Sequence, residues 1–325
     1  MKQHFIPRLY LRRFSNDGRS IYTYDKKQAK SFRTSIMSVC CINNLYSISE
    51  SFINDYCLEN ETSGYAIKKL SIEDDYFANN IEPMFGKYLK QLDDIKQEWT
   101  GGQDKYRLNY EEKKELALHI TTQYFRLPYV MDSLVNNHLR LEKADVDSMK
   151  RIISAETGDK TFEDLQIDIT CEKPVLHAQI SYLNVELLMQ LGDILAGNIY
   201  VFWISQSSAF YTSDFPIVLN PHVKNVSPSC FGLAQYGGEL MMTLSPNLAL
   251  SIYDRNYFKE KEKTDACFVV ADDKEVRRRN WINYLYATQN VFCLKNDFEI
   301  IKIIHSQKGK HMFFSPNLQI KDEFI

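Results

Sequence analysis

The chain of 325 residues lacks a long apolar run, its longest stretches being of the order of IYVFWI at 199–204. That is far below the ~18 residues needed to cross a bilayer. No secretory leader is expected either. Arg8, Arg12 and Arg13 interrupt the opening MKQHFIPRLYLRRFS, whereas a signal peptide needs an unbroken apolar stretch of roughly 7 to 15 residues. The expectation is a soluble, cytoplasmic protein that keeps its N-terminus and meets no membrane. Glycine and proline are scarce, at 12 and 9 residues, and no Pro-, Gly- or Ser-rich linker divides the chain. This predicts one composite domain over 1–325, made of an N-terminal segment and hairpin (1–50), a helical part (51–197) and a sheet-rich part (198–325). The seven cysteines, with Cys40 and Cys41 adjacent, match no zinc spacing and form an odd set, as expected of reduced thiols. A net charge of −3 excludes a generally basic surface, so any anion site must be local. Phosphate loop, dinucleotide glycine pattern, HExxH and GxSxG are all absent. No restriction-type nuclease core stands out, and Arg126 and His138 are too far apart for a compact Arg/His ribonuclease motif.

What is present is material for a large core, with 44% hydrophobic and 13% aromatic residues against 25% charged. SNDG at 15–18 is a turn signature, and SIYTYD and AKSFRTS, which follow it, read as a hairpin. Ile81, Phe85, Tyr88, Leu89, Leu92, Ile95 and Trp99 recur at helical spacing, with Asn80 as a cap, Pro83 in the first turn and the glycine pair at 101–102 as a breaker. A second helix is predicted from Asn109 through Pro128, bent at that proline. More helices are expected at 140–156, 174–196 (with Gly197 as a stop) and 273–289. Short β-rich runs from 199 onward complete an α+β architecture: a small N-terminal hairpin, a helical middle, and a mixed or antiparallel C-terminal sheet with one or more helices.

Three groups of residues could carry chemistry. Glu115, His119, Thr122, Gln123 and Arg126 share one helical face, and a guanidinium amid YF and LP needs a partner. Such a face is either a hydrogen-bonding platform for a carboxylate or phosphate, or a solvated face or structural ion pair. Thr212, Ser213 and Asp214 end a strand ahead of Pro216, where Asp214 could act as a base, orient a histidine or hold a divalent metal ion. The alternative is a turn in which Asp214 bonds backbone amides. Ser245 and Pro246 repeat that pattern. Lys2, His4, Arg8, Arg12 and Arg13 make the densest local positive charge, fit for acid/base work and phosphate contact, or for a solvated edge. KEVRRRN at 274–280 reads as a solvated helix end.

KQHFIPRLYLRRFS, IYTYDKK, QYFRLP, FYTSDFPIVLNP, TLSPNLAL and NWINYLYATQNVF, in this order, make the chain resemble the mainly bacterial domain of unknown function family 4238. Its members share a His-x-x-Pro-x-x-x-Leu-x-x-Phe opening and a Thr-Ser-Asp-x-Pro segment. The resemblance implies that His4, Gln123, Arg126, Asp214, Ser245 and either Asn280 or Asn283 are the polar motif positions. Two functions follow as expectations. One is a nuclease or nucleotide-acting hydrolase, a toxin-like effector in defence against phage or mobile elements. There His4 would be acid or base, Gln123 would position, Arg126 and Arg8 would bind phosphate oxygens, and Asp214 would orient His4 or hold a divalent metal. Ser213, Ser245 and Asn283 would contact substrate, which would be nucleic acid or a nucleotide. The other is a non-catalytic ligand-binding or protein-interaction module, with a protein partner or second copy and the polar set as a structural network.

Overall fold

Asp17 shows how locally the first elements are specified. Its carboxylate accepts the amides of Arg19 and Ser20 at 2.9 and 2.8 Å, and Gly18 beside it takes φ 67°, a left-handed conformation that suits glycine. In the computed structural model, which describes residues 1–59, 67–99, 108–206, 208–224 and 232–308, this turn launches the expected hairpin. Before it come β1 (Lys2–His4) and α1 (Arg8–Arg12). The hairpin itself is β2 (Ser20–Asp25) and β3 (Lys30–Ser35), and β4 (Cys41–Asn43) turns back to pair antiparallel with β1.

The helical middle begins with α2 (Glu50–Glu59). A π-helical segment, Ile72–Ile81, runs straight into α3 (Glu82–Glu98), so Asn80 lies inside a helical turn and is no cap, while Pro83 does sit in the first turn of α3. The glycines at 101–102 lie outside the described residues. The next helix, α4 (Tyr110–Phe125), opens with a capping box: Asn109 Oδ1 accepts the Glu112 amide at 3.0 Å, and Glu112 accepts the Asn109 amide at 2.8 Å. Pro128 does more than bend this helix. It ends α4 and starts α5 (Pro128–Thr157), with Leu127 extended at ψ 128°, because proline disfavours helical geometry in the residue before it and is preorganised for a first turn. The predicted helix at 140–156 is the distal part of α5. The one expected over 174–196 divides into α6 (Lys173–His177), a second π-helical segment (Ala178–Leu183) and α7 (Glu186–Ala196). Gly197 does cap α7, with an ordinary φ of −68°.

The C-terminal part supplies β5 (Ile199–Ile204), β6 (Thr212–Ser213), β7 (Ile217–Pro221), β8 (Gly238–Ser245), β9 (Leu248–Tyr253), β10 (Cys267–Val270), α8 (Asp273–Tyr286), β11 (Asn290–Cys293) and α9 (Glu299–Lys308). A five-stranded sheet has the order β10-β5-β9-β8-β7. Only β10 and β5 run parallel, so the sheet is mixed. β5 lies near the middle with almost every residue buried, which is why IYVFWI is an unbroken apolar run. The second sheet, β3-β2-β11-β6, is antiparallel and joins the N-terminal hairpin to two C-terminal strands. One hydrophobic cluster extends from Ile6 to Ile301, and α4 crosses it with Leu116, Ala117, His119, Ile120, Thr121, Thr122 and Gln123 all buried.

KEVRRRN does not form a solvated helix end. Arg279 is 1% exposed, and both Arg278 and Arg279 face Glu239, which is fully buried on β8. Ser251 donates to the same carboxylate at 2.7 Å, and His222 stands 2.9 Å from it. A buried carboxylate requires such counter-charges. Among the described residues no helix is long and apolar enough to cross a membrane.

Candidate functional site

The opening segment is held through its main chain. Arg126, closing α4, donates to the His4 carbonyl at 2.6 Å, and Gln123, one turn earlier, donates to the Phe5 carbonyl at 2.7 Å. Arg126 also pairs with Glu82 at 2.7 Å and lies over the Phe77 ring at 4.0 Å, so its charge is compensated and stacked while almost wholly buried. Gln3 is fully buried, its Oε1 accepting the Tyr46 amide at 2.7 Å. Thus β1 is gripped on both sides, and His4, Gln123 and Arg126 converge. The cavity that Gln123 and Arg126 border is small. Pro7, Glu82, His119 and Arg126 enclose about 10 Å³, room for about one water.

The histidines here are neutral at pH 7. Burial lowers the pKa of His4, and the nearby Arg8 and Arg126 lower it further. Its Nε2 has no hydrogen-bond partner. Neither ring nitrogen of His119 has one, and burial alone depresses that group to about 4. Arg8 is exposed, its guanidinium against the Met37 sulfur at 3.2 Å.

Asp214 belongs to a different neighbourhood. It follows β6, and its carboxylate accepts three backbone amides, of Thr288 at 2.7 Å and of Gln289 and Asn290 at 2.8 Å each, which bind the α8–β11 connection. Burial pushes its carboxyl above the ordinary range, and those amide bonds work against the rise. Lys26, also buried, donates to the carbonyls of Ala287 and Leu285 at 2.6 and 3.2 Å. Burial pulls its pKa down to about 8, with Asp214 opposing. Ser213 closes a local loop with the backbone of Phe215. A recess of about 410 Å³ borders Asp214, Asp25, Cys40 and Cys41, and it shares no lining residue with the Arg126 cavity. Both Asp214 oxygens face N–H donors. Among the described residues no three His, Cys, Asp or Glu side chains are grouped to hold a metal ion.

The remaining motifs meet at a larger feature, a cleft of about 870 Å³ between α3, the β8–β9 turn, α8 and the start of α9. Arg13, from the opening segment, makes a two-pronged pair with Asp93 at 2.7 and 2.8 Å and donates to the Leu244 carbonyl at 2.6 Å. Ser245 donates to Asn247 at 2.9 Å, and Lys96 donates to the same oxygen at 2.8 Å. Asn280 accepts the Tyr211 amide at 2.7 Å and donates to the Ala209 carbonyl at 2.9 Å, fixing one wall. Asn283 lies off the cleft, with its amide on the Arg279 carbonyl at 3.1 Å. Of the two asparagines left open by the sequence, Asn280 is the one that faces a cavity.

Arg277, Lys295, Asp297 and Glu299 also line this cleft, are exposed, and have no ion pair among the described residues. The sequence carried no signal for these four, because isolated exposed charges on helix and loop ends are ordinary surface. Glu239 did leave a trace, as a lone acid in the apolar strand GELMMTLS.

No curated protein and no solved structure matches the chain. A family model described as "Protein of unknown function (DUF4238)" matches residues 2–297, which takes in the opening segment, the Arg126 grip, Asp214 and most of the cleft. The chain belongs to that family.

Proposed function

We propose that the protein is a ligand-binding module whose ligand enters the cleft beside Ser245 and Asn280, with the other polar motif residues serving as internal braces. One contrast carries this reading. Gln123, Arg126 and Asp214 spend their polar groups on backbone partners, whereas Arg277, Lys295, Asp297 and Glu299 stand uncommitted around a cleft of ligand size. Uncommitted charges of both signs favour a small polar ligand with anionic and cationic or amide groups. The test is a thermal-shift screen of nucleotides, amino acids and short peptides. A ligand at about 100 times its Kd should raise Tm by about 4 °C. Arg277→Ala or Lys295→Ala should abolish the rise. A screen without a hit, or a rise that survives both substitutions, would count against the cleft.

A second reading, hydrolysis of nucleic acid or a nucleotide in defence against phage or mobile elements, is supported by one observation. His4 is neutral, keeps an uncommitted ring nitrogen and has the exposed Arg8 close by. Phosphodiesterase or nucleotide hydrolysis lost in both His4→Gln and Arg8→Ala, and kept in Arg277→Ala, would favour it over the first.

A further inference from the structure

The adjacent cysteines noted in the sequence are unlike each other in the fold. Cys40 is buried, and burial raises its thiol pKa well above the ordinary value. Cys41 is half-buried, and it lies directly across from His4 in the β1–β4 register. The flanking bonds run from the Phe5 amide to the Cys40 carbonyl and from the Asn44 amide to the Met1 carbonyl, both at 2.9 Å. They make His4 and Cys41 a non-hydrogen-bonded pair, whose Cα atoms lie about 4.5 Å apart with side chains on one face. His4 is 8% exposed, with Nε2 lacking a hydrogen-bond partner. Lys2, two residues earlier, shares that face. Cys41 Sγ contacts the Met37 carbonyl at 3.8 Å, and the Met37 sulfur holds Arg8. A half-exposed thiol among Lys2 and Arg8, opposite a neutral imidazole, has the surroundings that distinguish reactive from inert cysteines.

We propose that Cys41 is a nucleophilic thiol served by His4, and that it undergoes exchange with small anionic disulfides. His4 takes the Cys41 proton. The thiolate attacks one sulfur of the disulfide, whose S–S bond breaks as the new one to Cys41 forms. The departing thiolate leaves with the proton held on the imidazolium. The incoming disulfide is the only oxidant, and free thiol reverses the step. Lys2 and Arg8, both exposed, draw in its carboxylates, while the recess of about 410 Å³ beside Cys41, lined by Asp25 and Asp214, has room for an uncharged part of the attached group. The charges facing His4 are Arg8 and Arg126, which disfavour its protonation, and Glu82, which favours it.

The probe is 5,5′-dithiobis(2-nitrobenzoate), a dianionic disulfide that releases a coloured thiolate, with mass spectrometry of the intact full-length chain and its peptides locating the adduct. At pH 7 the wild type should show a phase about tenfold faster than a free peptide thiol. Cys41→Ser should remove that phase, and His4→Gln should slow it about tenfold. Arg8→Ala should slow it with this probe and not with the neutral 4,4′-dithiodipyridine. A wild type without the fast phase, a phase that persists in Cys41→Ser, or a His4→Gln protein that reacts like wild type would each overturn the proposal. Should His4→Gln fail to fold, His4→Asn takes its place: a fast phase slowed about tenfold is expected, and one that runs at the wild-type rate refutes the pairing.

Discussion

Asp214→Asn changes two atoms' worth of chemistry at a residue that is 4% exposed. The carboxylate receives the Thr288 amide on one oxygen and the Gln289 and Asn290 amides on the other. An asparagine can turn its oxygen to the last two, but its NH₂ then meets the Thr288 N–H with no acceptor between them. One charge-assisted bond is lost, two fall to neutral strength, and a buried donor is left unsatisfied. The sum is about 3 to 5 kcal/mol. Lys26 simultaneously loses its counter-charge, which moves the effect toward the upper end. For a chain of this length the loss should appear as a fall in Tm of about 4 to 7 °C by calorimetry, with a matching shift in denaturant midpoint. Binding at the cleft, whose lining does not include Asp214, should be unaffected at temperatures where the variant is folded. A fall below about 1 °C would refute the reasoning, because three short amide bonds to a buried carboxylate cannot be nearly neutral. A normal Tm combined with lost activity would turn Asp214 from a brace into a reacting group.

Two pH dependences follow from buried groups. The folded-state pKa of Lys26 is lowered from 10.5 to about 8, so between those values the unfolded chain binds the extra proton and stability rises with pH, by up to about 1.4 kcal/mol per unit. Urea titrations at pH 8, 9 and 10 should show that rise in the wild type relative to Lys26→Met, and parallel curves would sink it. His119 is lowered from 6.5 to about 4 by burial, so its contribution is present above pH 6.5 and is lost as the pH falls toward 4. His119→Leu should flatten that part of the acid limb, whatever its own stability at pH 7, and an unchanged slope would show that the ring is already protonated or already solvated.

Much of the fold was legible because its signals are local. Asp17 and Gly18 specify their turn within four residues, and Asn109 and Glu112 cap α4 across three. The alternation in SIYTYD and the unbroken IYVFWI report a half-covered and a fully covered strand. Pro128 was legible as a disruption, but whether it bends a helix or starts a new one depends on Leu127, which packs into the core in an extended conformation. The expectation for KEVRRRN treated polar residues on a helix as facing water. It miscarried because α8 is buried along much of its length, and Arg278 and Arg279 find a buried partner on β8. For the face that ends in Arg126, the structural ion pair among the alternatives is the one present, with Glu82.

The candidate residues divide along the same line. That His4, Gln123, Arg126, Asp214, Ser245 and an asparagine deserved scrutiny was readable from residue type and local context. What each one touches was not. Arg126 reaches a carbonyl 122 positions away, Asp214 amides 74 to 76 away, and Asn280 an amide 69 away. By itself the sequence determined the turns, the caps, the strand and helix types and the presence of a large core, since these follow from backbone sterics and hydrophobic periodicity within a dozen residues. Only the tertiary structure decided that the N-terminal hairpin finishes its sheet with β11 and β6, that Asp214 is spent on a loop, that the cleft gathers four uncommitted charges, and that Cys41 faces His4. Those pairings depend on strand register and long-range packing, which no local pattern records.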